Sequence, residues 1–214
     1  MIYLSGAVRP NLIGLRPDLG VLLTPQMRNH PDLSAGPWAA DNGCFTLGER
    51  FDMAVFLTFL AKRRYAVDTC LFAPAPDVVG DAAATLRRSA KPLEQIRAAG
   101  YRAALVAQDG LQAPPWDAFD ALFIGGTTAF KLSHEARELT AAARDRAKWV
   151  HMGRVNSERR LRTAAMWGCQ SVDGTFLAVA PDENEPRLLG WLDNLNRQPE
   201  LDFSNNESRH ETEV

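Results

Sequence analysis

Short apolar runs of strand length recur along the chain, each bounded by polar, glycine or proline residues. They are IYLSG from Ile2, GVLLT from Gly20, WAAD from Trp38, TCLFAPA from Thr69, AALVAQDG from Ala103, ALFIGG from Ala121, KWVHMG from Lys148 and QSVDGT from Gln170. The runs are continuously apolar, which predicts strands buried on both faces. From the third run onward, segments with apolar residues three and four apart lie between them. These predict helices over about 51–64, 81–99, 131–146 and 157–167, with a last one near 187–196. Only the short Pro-rich stretch APPWDAF separates the fifth run from the sixth. Alternation of this kind implies parallel strands with helical crossovers, and eight of them predict an α/β fold, a compact (β/α)₈ TIM-like barrel with some early helices missing. An open doubly wound sheet is the structural alternative. No G-x-G-x-x-G or P-loop follows the first strand, so that alternative lacks its nucleotide-binding fingerprint.

With 214 residues, 46% of them hydrophobic and 23% charged, the chain can bury one sizeable core. A single domain is expected over 1–197, and the polar, aperiodic stretch 198–214 is expected to be a disordered tail. The formal net charge of −2 excludes a protein that binds nucleic acid by overall charge and leaves room for a local basic patch. The three cysteines, Cys44, Cys70 and Cys169, contain no C-x-x-C pair. That argues against a disulfide framework and a cysteine-based zinc site, so no metal is expected and a reducing cytoplasm fits best. The opening MIYLSGAVRP has no cationic region followed by a long apolar stretch, and no window reaches the roughly 20 apolar residues of a membrane span. No membrane partner is expected.

Candidate chemistry lies where the apolar runs end. WAADNGCF, residues 38–45, stops at a carboxylate, Asp41, before Asn42, Gly43 and an aromatic, Phe45. Asn and Gly tolerate left-handed backbone, so the plainest reading is a strand entering a turn. The other runs end alike: Asp77 after LFAPAP, Gln108 and Asp109 after ALVA, Gly125 and Gly126 after LFI, His151 with Met152 after KWV, and Asp173 after QSV. In a parallel barrel these ends converge on one rim, where sites are built. Asp41 and Asp173 would then face each other across the mouth. Paired acids suit glycosidic chemistry, because one carries the proton while the other attacks or stabilises an oxocarbenium-like carbon.

Five short motifs, in order, resemble those of tRNA-guanine transglycosylases. DNGCF looks like the family's D-S-G-G-aromatic motif, LVAQDG like V-Q-G-G, FIGGTT like G-G-L-A-V-G, VHMGRV like L-M-G-V-G and CQSVDGT like F-D-C-V, over roughly residues 38–178. Those enzymes are (β/α)₈ barrels that exchange a guanine in a polynucleotide for a 7-deazaguanine through a covalent ribosyl-aspartate. A related branch does this on DNA, often in phages. The resemblance implies that Asp173 is the nucleophile and Asp41 the general acid/base, with Phe45 and Met152 on either side of the base. It further implies that Asp77 reads the Watson–Crick edge, with Asp81 as a competing choice, and that Gln108 and the backbone at Gly125 and Gly126 contact the base carbonyl. His151 joins this set as a substrate-binding candidate. No cofactor is implied. The family's C-x-C-x-x-C run with its later His is absent, as is the long region carrying it, and Cys44 stands where the family has glycine. DNA, or a free nucleoside or nucleotide, is therefore favoured over tRNA as substrate, with a small 7-deazaguanine base as second partner.

A basic cluster around the seventh strand supports a polyanionic partner: Arg146, Lys148, Arg154, Arg159, Arg160 and Arg162, beside the acid Glu158. Arg154 is the candidate phosphate ligand, and Asn156 or Ser157 could cap the helix that follows. The same charges also fit a solvated cationic helix face. Lys131 and Lys148 raise a Schiff-base alternative, weakened because Lys148 begins its strand and Lys131 lies a turn into a helical region. The expected function is base exchange. Hydrolysis of the same N-glycosidic bond, deoxyribosyl transfer between nucleosides and a silent nucleotide-binding barrel are its rivals.

Overall fold

The computed structural model describes residues 1–27 and 30–197. The predicted tail, 198–214, lies outside the described residues. Eight strands form the expected elements: β1 (Ile2–Ser5), β2 (Leu19–Leu23), β3 (Trp38–Ala40), β4 (Ala73–Pro74), β5 (Ala103–Ala107), β6 (Ala121–Ile124), β7 (Trp149–Met152) and β8 (Ser171–Asp173). All pair in parallel in the order β3-β2-β1-β8-β7-β6-β5-β4. The ends of that order meet through a bridge between Trp38 and Cys70, with Leu71 N–H donating to the Trp38 carbonyl at 2.8 Å and Ala40 N–H to the Phe72 carbonyl at 3.1 Å. The sheet is thus a nearly closed (β/α)₈ barrel.

The helices are α1 (Cys44–Leu47), α2 (Met53–Ala61), α3 (Ala82–Ala98), α4 (Thr128–Lys131), α5 (His134–Asp145), α6 (Glu158–Trp167) and α7 (Pro181–Arg197). Among the described residues, the first two crossovers carry only 3₁₀ turns, Pro10–Leu12 and Leu33–Ala35, in keeping with a barrel lacking some early helices. Local chemistry sets several boundaries. Asp81 accepts from Ala84 N–H and caps α3, which gives that residue a structural task. Ser157 caps α6, accepting from Arg160 N–H. The helix expected over 131–146 is α5, which starts three residues later because Ser133 accepts from Ala136 N–H, and the separate one-turn α4 ends at Lys131. The last helix begins at Pro181, earlier than the apolar spacing indicates, since proline suits a first turn whose amides need no helical partner.

Strand alternation divides the core into two. Tyr3, Ala40, Leu105, Leu122 and Val150 point outward to the helices, where Leu93, Ile96, Leu139, Leu161, Leu188 and Leu192 meet them. Leu4, Ala39, Phe72 and Ala104 point inward, with Phe123 and Trp149 beside them. The inward side chains continue up β3, β7 and β8 to the mouth, and this placement builds the site. Among the described residues, no helix is long and apolar enough to cross a membrane.

Candidate active site

Ala39 faces the barrel interior, so two residues on, past the last residue of β3, Asp41 turns into the mouth. Its amide donates to the Leu23 carbonyl at 2.8 Å, and its Oδ1 accepts from Gly43 N–H at 2.9 Å. The next side chain repeats the device: Asn42 Oδ1 accepts from Cys44 N–H at 2.8 Å while its Nδ2 donates to the Pro74 carbonyl at 3.1 Å. Gly43 has φ of 72°, where a side chain would be strained, which explains the glycine in DNG. Desolvation pushes the Asp41 carboxyl up from the ordinary carboxylate range, helped by the charges of Asp173 and Asp77 and opposed by the Gly43 amide and His151. Asp41 is therefore suited to hold a proton.

Asp173 ends β8, opposite Leu4 of β1, with its side chain 14% exposed. Beneath it runs a chain of hydrogen bonds into the barrel. Trp149 Nε1–H donates to Ser171 Oγ at 2.9 Å, Ser171 Oγ meets His151 Nδ1 at 2.9 Å, and His151 Nε2 meets Asp173 Oδ1 at 2.9 Å. Ser171 Oγ accepts from Trp149 and keeps both its hydrogen and a second lone pair to meet His151 Nδ1. A carboxylate oxygen only accepts, so His151 Nε2–H donates to Asp173 Oδ1. His151 is 0% exposed and lies between the rings of Phe72 and Phe123, with centroids 4.8 and 4.5 Å away. It meets the mouth only through Asp173. Ser171 is equally buried, so the group presented to solvent is the carboxylate, the reverse of a serine-hydrolase triad.

Asp77 sits between two donors: Gln108 Nε2–H bonds its Oδ2, and the Cys44 thiol donates to its Oδ1 at 2.9 Å. Burial, then the Asp77 carboxylate, pushes the Cys44 thiol up to about 12, so it stays a thiol and a donor. Gln108 Oε1 in turn accepts from Gly80 N–H at 2.9 Å. Beside them Asp109 accepts from the Thr127 amide at 2.9 Å and hydroxyl at 2.6 Å. Burial raises its carboxyl, but these bonds more than offset it and leave it below the usual range. They pin the loop after β6, where Gly125 and Gly126 are buried. At Gly126, φ is 72° and a Cβ would lie 2.6 Å from Asp109 Oδ2, so no side chain fits.

Phe45 is 65% exposed at the mouth, and the Arg154 guanidinium lies over its ring 4.4 Å from the centroid. Met152 differs in setting: it is 1% exposed and packs on the outward side of β7, opposite to His151. Arg154 follows β7 with φ of 59°, a rare conformation for a residue with a side chain. Among the described residues, no three His, Cys, Asp or Glu side chains converge as a metal site would require.

The structure thus brings Asp41, Asp77, Gln108, Gly125, Gly126 and Asp173 to one end of the barrel, with His151 beneath and Phe45 and Arg154 above. Sequence reasoning missed Ser171 and Trp149. Their signal was present as W-x-H on β7 and S-x-D on β8, two period-two pairs on neighbouring parallel strands that must face the same interior.

No family model matches this sequence, and no curated protein is similar to it. Solved structures of similar shape include the PaMucR phosphodiesterase in complex with c-di-GMP, at 15% identity and a TM-score of 0.44, covering 67% of this chain and 61% of that one. Tryptophan synthase from M. tuberculosis aligns at 15% identity and a TM-score of 0.48, covering 83% of this chain and 77% of that one. The tryptophan synthase complex from Pyrococcus furiosus aligns at 13% identity and a TM-score of 0.48, over 92% of this chain and 95% of that one. The barrel itself rests on the strand order and pairing above.

Proposed function

We propose that this barrel is an enzyme that exchanges the base of a guanine nucleotide unit in a polynucleotide, DNA rather than tRNA, for a 7-deazaguanine. The observation that carries the reading is that the carboxyl ends of β3 and β8 bring Asp41 and Asp173 to one mouth of the barrel. In this reading Asp173 attacks the anomeric carbon through the oxygen that His151 leaves free. The carbon–nitrogen bond breaks as Asp41 delivers its proton to the departing guanine. Asp41, now a carboxylate, takes the ring N–H proton of the incoming base, whose nitrogen attacks the same carbon and releases Asp173. Asp77 reads the Watson–Crick edge, and Gln108 with the backbone at Gly125 and Gly126 contacts the base carbonyl. Phe45, exposed at the mouth, takes one face of the base, while Met152 packs away from it on the outward side of β7. A base in duplex DNA must be flipped out first, so single-stranded DNA reacts faster.

The test is mass spectrometry of nucleosides from DNA and, separately, from tRNA after incubation with labelled 7-cyano- or 7-aminomethyl-7-deazaguanine. Label in DNA is expected. Free guanine released with no label incorporated would instead identify a hydrolase of the same bond, and neither product would defeat the enzymatic reading.

The buried chain under Asp173 gives a second prediction. A donor on the nucleophile makes it a better leaving group and a poorer attacker, so His151 speeds release of the covalent intermediate more than its formation. Replacing His151 by Phe keeps a ring between Phe72 and Phe123 and removes a hydrogen bond to a charged group. Release should slow by about 10- to 100-fold, so the glycosylated protein accumulates in intact-mass spectra. Equal slowing of both half-reactions would mean that His151 only packs.

A further inference from the structure

Next to Asp173 lies a cationic cluster that the two-carboxylate chemistry leaves unused. Lys131, the last residue of α4, is 5% exposed, an unusual setting for an ammonium group, and its Nζ reaches only the Gly126 carbonyl at 3.3 Å. Arg154 extends from the loop after β7 over Phe45, and Arg160 on α6 donates to the Arg154 carbonyl at 3.3 Å. The three, with Thr128 and Gly153, line one narrow cleft. Gly153 brings that cleft to the nucleophile, since a Cβ there would lie 3.3 Å from Asp173 Oδ1.

Among the described residues, none of these cations is ion-paired with a carboxylate. Arg162, two residues further along α6, shows the contrast: it bonds Glu158, one turn back, at 2.7 Å and is neutralised. Desolvation and the charges of Arg154 and Arg160 hold the Lys131 amine below the ordinary lysine range, against the pull of Asp173 and Asp109. Asp109 is already engaged by Thr127. Three cations held near one another, one desolvated and one on a strained backbone, destabilise the protein unless an anion joins them.

We infer that Lys131, Arg154 and Arg160 form a phosphate subsite beside Asp173, which holds a phosphate attached to the sugar whose anomeric carbon is attacked. The inference rests on the base-exchange reading for the sugar, and on the cleft alone for the anion. Arg154 and Arg160 offer planar forks to phosphate oxygens and Lys131 a point charge from below. Anchoring the sugar there fixes its anomeric carbon over Asp173. The phosphate can come from a free mononucleotide or from a polynucleotide backbone, with the same chemistry in either case.

The first arm of the test uses inorganic phosphate and pyrophosphate alone, followed by ³¹P NMR and by thermal shift. The wild-type chain should bind both. Lys131→Met and Arg160→Met should each weaken binding about tenfold or more. Lys131→Met replaces a buried ammonium by an apolar chain of similar length, and Arg160→Met changes a partly exposed position, so both should fold. Phosphate binding that neither variant weakens, or none in the wild type, overturns the subsite. The second arm compares deoxyguanosine, its 5′- and 3′-monophosphates and a short single-stranded oligonucleotide. The subsite predicts that a phosphorylated form outbinds the nucleoside in the wild type and loses that advantage in both variants. A preferred monophosphate identifies a free nucleotide, and a preferred oligonucleotide identifies the polymer. Phosphate binding that passes the first arm in a protein that never exchanges a base overturns the base-exchange reading and leaves the subsite standing.

Discussion

Replacing Asp173 by Asn should abolish base exchange, a loss of at least about 10³-fold in turnover, while base and nucleotide binding stay within a few-fold of wild type. The substitution preserves shape. The Asn oxygen can still accept from His151 Nε2, which holds Asp173 Oδ1 at 2.9 Å, so the chain through Ser171 to Trp149 survives. What disappears is the negative charge that attacks the anomeric carbon. Wild-type protein denatured in the presence of substrate should carry one added glycosyl unit in intact-mass spectra, and Asp173→Asn should carry none. If the variant retained normal exchange, or if an adduct still formed, the nucleophile would be another group. If adduct and turnover vanished together with nucleotide binding, Asp173 would be holding the pocket together instead. Melting temperature is the control: it should change little, because the side chain already reaches solvent at the mouth.

The rim is legible in the sequence because a parallel barrel leaves little freedom about where strand ends go. Once the apolar runs were read as eight parallel strands, Asp41, Gln108 and Asp173 had to share a face. The turn after β3 was legible for a local reason, the tolerance of Asn42 and Gly43 for tight backbone. Other features depend on contacts between distant segments, which spacing does not encode. Lys131 reads as a helical lysine, and its spacing does not reveal that Arg154, from the loop after β7, and Arg160, from α6, line the same cleft. His151 reads as a rim residue because it precedes Met152 and Gly153, yet strand alternation turns it into the interior, where Phe72 from β4's approach and Phe123 from β6 enclose it. The break between α4 and α5 was hidden because Ser133 is as compatible with a helix interior as with a cap until its partner Ala136 N–H is known.

Replacing Asp41 by Asn should lower exchange by about 10²- to 10⁴-fold and at the same time stabilise the protein at neutral pH. The two effects share a cause. Burial holds the Asp41 carboxyl above its ordinary value of 3.8, so the folded protein binds this proton more tightly than the unfolded chain does. Stability from this site is complete below the ordinary value and is lost as pH rises through the raised folded value. As pH rises above the ordinary carboxylate value the wild-type fold loses this contribution, whereas Asn has no proton to lose and its oxygen can still accept from Gly43 N–H. The variant should therefore melt at a higher temperature at pH 7, and the gap should close as pH falls below the ordinary carboxylate range. The loss of activity should be selective for proton transfer. A substrate bearing 7-methylguanine, already cationic and needing no proton to leave, should form the covalent intermediate on Asp41→Asn nearly as fast as on the wild type, whereas ordinary guanine should not. If both leaving groups were slowed equally, Asp41 would act by positioning the sugar or the turn, and the proton would have to come from elsewhere in the mouth.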